Sequence, residues 1–209
     1  MLKKILIAVA VLVLVLVGVV VSRPDTYHVE RSLAVQAPPG VVHAIVGDMN
    51  RFASYSPWQK LDPQMKTIVS SPSTGVGASY AWDSANDDAG AGSMTILTVE
   101  QNKVVQDLRF LRPFESRAKV TFTTESEGTG TKVTWAMDGD NGFMGKLMGL
   151  FMDMDAMIGK DFEEGLQNLS RVSLTEAVAA AELKAAATAA TPPAPADTIA
   201  PPAPAGGKG

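Results

Sequence analysis

The chain contains no cysteine and only two histidines among its 209 residues. The first absence excludes disulfides, thiolate nucleophiles, zinc–thiolate centres and a lipoprotein-type acylated cysteine. The second leaves His28 and His43 as the whole stock of imidazole, which argues against a histidine-built metal site or a catalytic triad. Basic residues are also in short supply. Eighteen lysines and arginines against 22 acids give a net charge of −4, without the basic face that a general nucleic-acid partner calls for. No G-x-S-x-G, H-E-x-x-H or Walker pattern occurs. Gly75-Val-Gly77 and Gly90-Ala-Gly92 lack the strand–loop–helix context of a phosphate cradle and read as turns or bulges. The expectation is therefore no metal, no cofactor and no nucleic-acid partner.

The most conspicuous feature present is a long apolar run. Two lysines, Lys3 and Lys4, precede Ile5 to Val21, a stretch with no polar side chain. At about 1.5 Å per residue it sits at the lower limit for crossing a hydrocarbon core. Valine-rich sequence is a poor helix in water, but in lipid a single span must be helical to satisfy its own backbone. Residues 1–22 are read as an N-terminal membrane anchor, with a cleaved signal peptide as the alternative. The two lysines place the N-terminus on the cytoplasmic side and the main domain on the periplasmic or extracytoplasmic side.

Residues 26–172 read as one globular unit of ordinary domain size. TYHVERSLAVQA alternates, with Val29, Leu33 and Val35 on one face, as in a strand. Pro38 and Pro39 suit a first helical turn, followed by an apolar stripe of Val41, Val42, Ile45 and Val46. A second short helical piece, NRFASYSP, ends at Pro57. Six period-two runs follow: QMKTIVSS, GASYAWDS, GAGSMTILTVE, KVVQDLRFL, RAKVTFTTE and TKVTWAMDG. Their short connections imply consecutive antiparallel hairpins. The last element is a helix from about Phe143 to Val172, apolar at steps of three and four. Four glycines lie inside it, Gly145, Gly149, Gly159 and Gly165, so a break is expected near Gly149 to Asp153 or a close approach to the sheet. Residues 173–209 are Ala-rich and then Pro/Ala-rich, a tail expected to end as a disordered spacer.

Several stretches resemble a known family. RSLAVQAPPGVVHAIVGD, YSPW, GVGASYAW, GTKVTWAMDG and GKDFEEGLQNL are similar to segments of the SRPBCC (START-like) superfamily, in its polyketide cyclase/dehydrase branch. The resemblance implies an α+β helix-grip fold, in which a curved antiparallel sheet wraps a long C-terminal helix and leaves a cavity between them. It implies no shared catalytic set, because members bind lipids, hormones or polyketides, or act as cyclases.

Within FMGKLMGLFMDMDAMIGKDFEEGL the two aspartates are the first candidates for chemistry. On a continuous helix Asp153 and Asp155 stand about 200° apart and cannot share a metal or a proton. With Phe151 at the centre of the apolar stripe, Asp155 falls about 40° away and is expected to face the sheet, while Asp153 falls on the solvated side. A carboxylate on the apolar side is either a cavity acid of raised pKa or the partner of a salt bridge, for instance to Arg31. The apolar lining expected from the sheet is Tyr80, Trp82, Met94, Phe110, Phe122 and Trp135, opposed from the helix by Phe151, Met154, Asp155 and Ile158. Three functions fit this reading. One is membrane-tethered binding of a hydrophobic small molecule or lipid. Another is a metal-independent cyclase or dehydratase using Asp155 or Tyr80 as acid–base groups. The third is a non-catalytic envelope protein acting through partners.

Overall fold

The computed structural model describes residues 1–189. The Pro/Ala-rich segment from 191 onward lies outside the described residues. The chain divides into two units, residues 1–177 and 178–209. The second is described only as far as Ala189, where it is helical.

The apolar run forms α1 (Leu2–Val21), a 20-residue helix long and apolar enough to cross a membrane. Its side chains are exposed except Val20, which is fully buried. A four-residue connector, Ser22 to Asp25, leads into β1 (Thr26–Val35). Next come α2 (Pro39–Val46), whose first turn is set by Pro38 and Pro39, a 3-10 turn at Met49–Arg51, α3 (Phe52–Tyr55), and a second 3-10 turn at Pro57–Leu61. The missing N–H of each proline costs nothing in a first turn, which is why both helical starts carry one. Six strands follow as a meander: β2 (Lys66–Val69), β3 (Ser79–Asp83), β4 (Ala91–Glu100), β5 (Lys103–Arg112), β6 (Ser116–Glu127) and β7 (Gly130–Asp140). β1 closes on the far end of this meander, antiparallel to β7, so the sheet order is β1-β7-β6-β5-β4-β3-β2.

The period-two pattern places one face of every strand inward. Register carries the inward rows across the sheet: Tyr80 lies beside Met94, then Leu108, then Ala118. Further along, Val104 lies beside Phe122, then Trp135, then Arg31 of β1. Apart from Arg31, these inward side chains join Val42, Ile45 and Met49 from the connecting helices in one core.

The helix expected over Phe143–Val172 is two helices. α4 (Phe143–Met148) ends at Gly149, and α5 (Met154–Ala189) begins after a non-helical link. The break falls where the glycines placed it. Asp153 starts the second helix by accepting the Ala156 N–H at 3.0 Å, satisfying one of the donors a helix start leaves open. α5 then crosses the inner face of the sheet, burying Phe162, Leu166 and Leu169 at helical spacing. A curved antiparallel sheet holding a long C-terminal helix is the helix-grip fold.

Candidate functional site

α5 is gripped by charged and polar pairs along two sides. From the edge strand, Arg31 points inward and reaches across to the start of the helix. Its Nη2 donates to Asp155 Oδ2 at 2.9 Å and to the Asp155 carbonyl at 3.1 Å, and its Nε donates to Glu163 Oε1 at 3.1 Å. This path exists because residue 159 is glycine: a β-carbon there would overlap the guanidinium. On the other side, Trp58 Nε1 donates to Asp161 Oδ2 at 3.2 Å, Lys60 pairs with Glu164 at 2.5 Å, and Asn168 Nδ2 donates to the Tyr55 carbonyl at 3.3 Å. The G-K-D-F-E-E-G-L-Q-N-L segment is thus apolar toward the sheet, with acids on its flanks for basic and N–H partners.

Asp155 therefore does not face the interior as a cavity acid. Its side chain is 58% exposed, and the hydrogen bonds from Arg31 hold its carboxyl below the ordinary value instead of raising it. The reason is the break: the helical phase restarts at Asp153, so a stripe drawn from Phe151 does not continue to Asp155. Phe151 is corrected for the same reason. It lies in the link, 78% exposed, and does not oppose the sheet. Asp153 is the helix-capping residue, a role its place just before an apolar periodic run could have indicated.

The remaining candidates, Met154 apart, lie between sheet and helix. Tyr80, Met94, Phe122 and Trp135 are buried in the core, with Trp82, Phe110 and Ile158 half-buried against it. Tyr55, absent from the sequence-derived set, stands edge-on to both Phe122 and Trp135 at about 6 Å between centroids. Three polar atoms on this inner face, Tyr80 Oη, Gln106 Oε1 and Trp135 Nε1, are buried without a hydrogen-bond partner. Burial raises the Tyr80 phenol above its ordinary range, so it is a donor and not a base.

Met154 lies, with Phe151, at an open cleft of about 490 Å³ whose other lining residues are absent from the sequence-derived set. Its walls come from the connector after α1, the start of β1, Asn141 after β7, α4 and the α4–α5 link. Leu150, Phe151, Met152 and Met154 supply apolar surface, and Arg23, Tyr27, Asn141, Lys146 and Asp153 supply polar groups. Lys146 is ion-paired with Asp25. Tyr27 is shifted upward, first by burial and then by Asp140 and Asp138. Reading the sequence places the site between sheet and helix; this cleft opens beside the C-terminal end of α1, a position that strand and helix periodicity do not reveal. A second hollow of about 360 Å³ lies around Asp62, Asp83 and Arg112, where Arg112 pairs with Asp83 and Asp62 accepts from Ser84. Among the described residues no group of three or more His, Asp or Glu side chains is placed to hold a metal ion.

Residues 26–173 match the family described as polyketide cyclase / dehydrase and lipid transport. The chain belongs to this family, within the SRPBCC superfamily. Comparison with the curated proteins gives no sequence match. Among solved structures, the SRPBCC domain is similar to protein CV1439 from Chromobacterium violaceum, at 15% identity and a TM-score of 0.51, over 72% of this chain and 98% of that one. It is also similar to two di-domain ARO/CYC proteins. StfQ, from the steffimycin biosynthetic pathway, has 9% identity and a TM-score of 0.52, covering 73% of this chain and 52% of its own. BexL, from the BE-7585A biosynthetic pathway, has 13% identity and a TM-score of 0.52, covering 75% and 53%. This chain spans about half of each di-domain protein. At these identities the likeness is one of fold.

Proposed function

We propose that this SRPBCC domain binds a hydrophobic small molecule or lipid and is held at a membrane by α1, which remains attached as an anchor. The observation that carries the reading is the position of the cleft. It opens beside the last residues of the apolar helix, with Leu150, Phe151, Met152 and Met154 on its walls and Arg23 at its edge. Apolar walls with a few polar anchors suit an amphiphile, and methionine adapts to ligands of varied shape. The family description, which names lipid transport, supports the same class.

The cyclase alternative draws less support from the geometry. Its two acid–base candidates do not converge, since Tyr80 is in the core and Asp155 is outside, bound to Arg31. The test is native mass spectrometry of the full-length chain extracted in mild detergent, with organic extraction of what it carries. A bound hydrophobic molecule is expected from the wild type, and reduced occupancy from Met154→Trp, which narrows the cleft. A ligand-free wild type under gentle conditions would overturn the binding reading. Release of the chain from membranes by alkaline carbonate would overturn the anchor.

A further inference from the structure

The break between the two C-terminal helices leaves a run of large apolar side chains in solvent. Phe143 and Met144 on α4 are each more than half exposed, Phe151 in the link is nearly fully so, and Met152 beside it is also exposed. From Phe143 to Met152 the sequence carries one charge, Lys146, and no carboxylate. Lys146 is itself mostly buried against Asp25. A cluster of exposed aromatic and methionine side chains of this kind marks an interaction surface.

What it meets is set by α1. At about 1.5 Å per residue, the apolar run Ile5 to Val21 spans about 26 Å, no more than the thickness of a hydrocarbon core, so a membrane crossed by α1 contains the helix to its last turn. α4 packs directly against α1, and Val20, in that last turn, is fully buried. The connector allows no separation. Asn141 donates its backbone N–H to the Asp25 carbonyl at 2.7 Å, and its side-chain amide donates to the carbonyls of Pro24 and Thr26 at 3.4 and 3.3 Å. An element in contact with the end of a span, and pinned there, lies at the bilayer interface.

We propose that α4 and the link to α5 form a second membrane contact, in which Phe143, Met144, Phe151 and Met152 enter the interfacial layer of the bilayer that α1 crosses. This rests on the reading of α1 as a retained anchor. Arg23, exposed just past the span, reaches the phosphate level, as basic residues flanking a span do. The mouth of the cleft, walled by Phe151 and Met152, then opens onto lipid and not onto water.

The absence of native cysteine makes the test direct. Full-length single-cysteine variants Met144→Cys, Phe151→Cys and Met152→Cys are spin-labelled and reconstituted in vesicles of phosphatidylcholine with phosphatidylglycerol. Leu12→Cys in α1 and Val76→Cys, in an exposed turn at the opposite end of the sheet, serve as references. The expected result is that labels at 144, 151 and 152 are relaxed more by oxygen than by a water-soluble nickel chelate, at a depth shallower than position 12, while position 76 shows the reverse. Labels at 144, 151 and 152 as water-accessible as that at 76, with position 12 in lipid, would overturn this proposal and leave the anchor standing. A label at position 12 in water would overturn both.

Discussion

Trp135 and Phe162 lie face to face, ring centroids 4.5 Å apart and planes within 13°, and the helix comes this near the sheet because residue 165 is glycine. A β-carbon at 165 would stand 2.5 Å from Trp135 Cζ3. The indole cannot step aside, since Tyr55, Trp58 and Phe122 surround it. In an open helix Gly→Ala gains about 1 kcal/mol; here overpacking, typically about 1–3 kcal/mol, opposes it. Gly165→Ala is expected to be neutral to destabilising, and Gly165→Val to lower stability by about 2 kcal/mol and the melting temperature by roughly 5 °C. Thermal unfolding of the two variants beside wild type checks the sign; a stabilised Gly165→Val would remove the packing argument.

Arg31 fastens the first three turns of α5 to the edge strand. Arg31→Met keeps the aliphatic stem and removes the bonds to Asp155 and Glu163. Amide hydrogen exchange over residues 154–163 is expected to rise several-fold, with little change over 166–173, where Leu166 and Leu169 are buried. Uniform loss of protection along the whole helix would mean that the pair does not act locally.

The same fastening has a predictable pH dependence. Asp155 titrates below its ordinary value of 3.8 because Arg31 donates to it. A carboxyl depressed in the folded state adds stability that is present above the unfolded value and disappears as pH falls through the folded one. The difference in exchange between wild type and Asp155→Asn should therefore be present at neutral pH, begin to shrink as pH falls below the ordinary value of 3.8, and vanish once it is below the depressed folded value. A difference that persists in acid would assign the effect to something other than this charge.

Tyr80 carries a buried hydroxyl without a partner, while its ring packs on Phe52 at 5.1 Å. Tyr80→Phe keeps the ring and removes an unsatisfied group, so stability should stay the same or rise by about 1 kcal/mol. Ligand retention in native mass spectrometry separates the roles. If the hydroxyl meets a ligand, occupancy falls while stability does not.

The sheet was legible because its strands alternate cleanly: Ala118, Val120 and Phe122 against Arg117, Lys119 and Thr121 fix which face is inward, and register does the rest. The family followed from local segments such as GTKVTWAMDG and GKDFEEGLQNL. The helix break was legible in Gly149 because glycine weakens helices wherever they lie. The environments of Phe151 and Asp155 were not, since a helical wheel holds only while the phase is unbroken, and Asp153 resets it. Arg31 was legible as a partner for Asp155, but not as an inward-pointing clamp, because its reach depends on the missing side chain at residue 159, far away in sequence. The cleft was invisible for a simpler reason. Its walls come from the connector, β1, Asn141 after β7, α4 and the α4–α5 link, which no single periodicity joins.

The connector between α1 and β1 has a mechanical consequence. Four residues join the two, and Asn141 and Lys146 hold two of those four in place. A domain on a long flexible leash explores a hemisphere and can pick up cargo far from its mooring. Under the proposed anchoring this one is mounted flush, with no slack to swing, so its working distance is set by its own height and its orientation by the helix beneath it. Lengthening the connector by a few glycines would turn a fixed mount into a leash, and would also disturb the cleft wall that Arg23 and Pro24 supply.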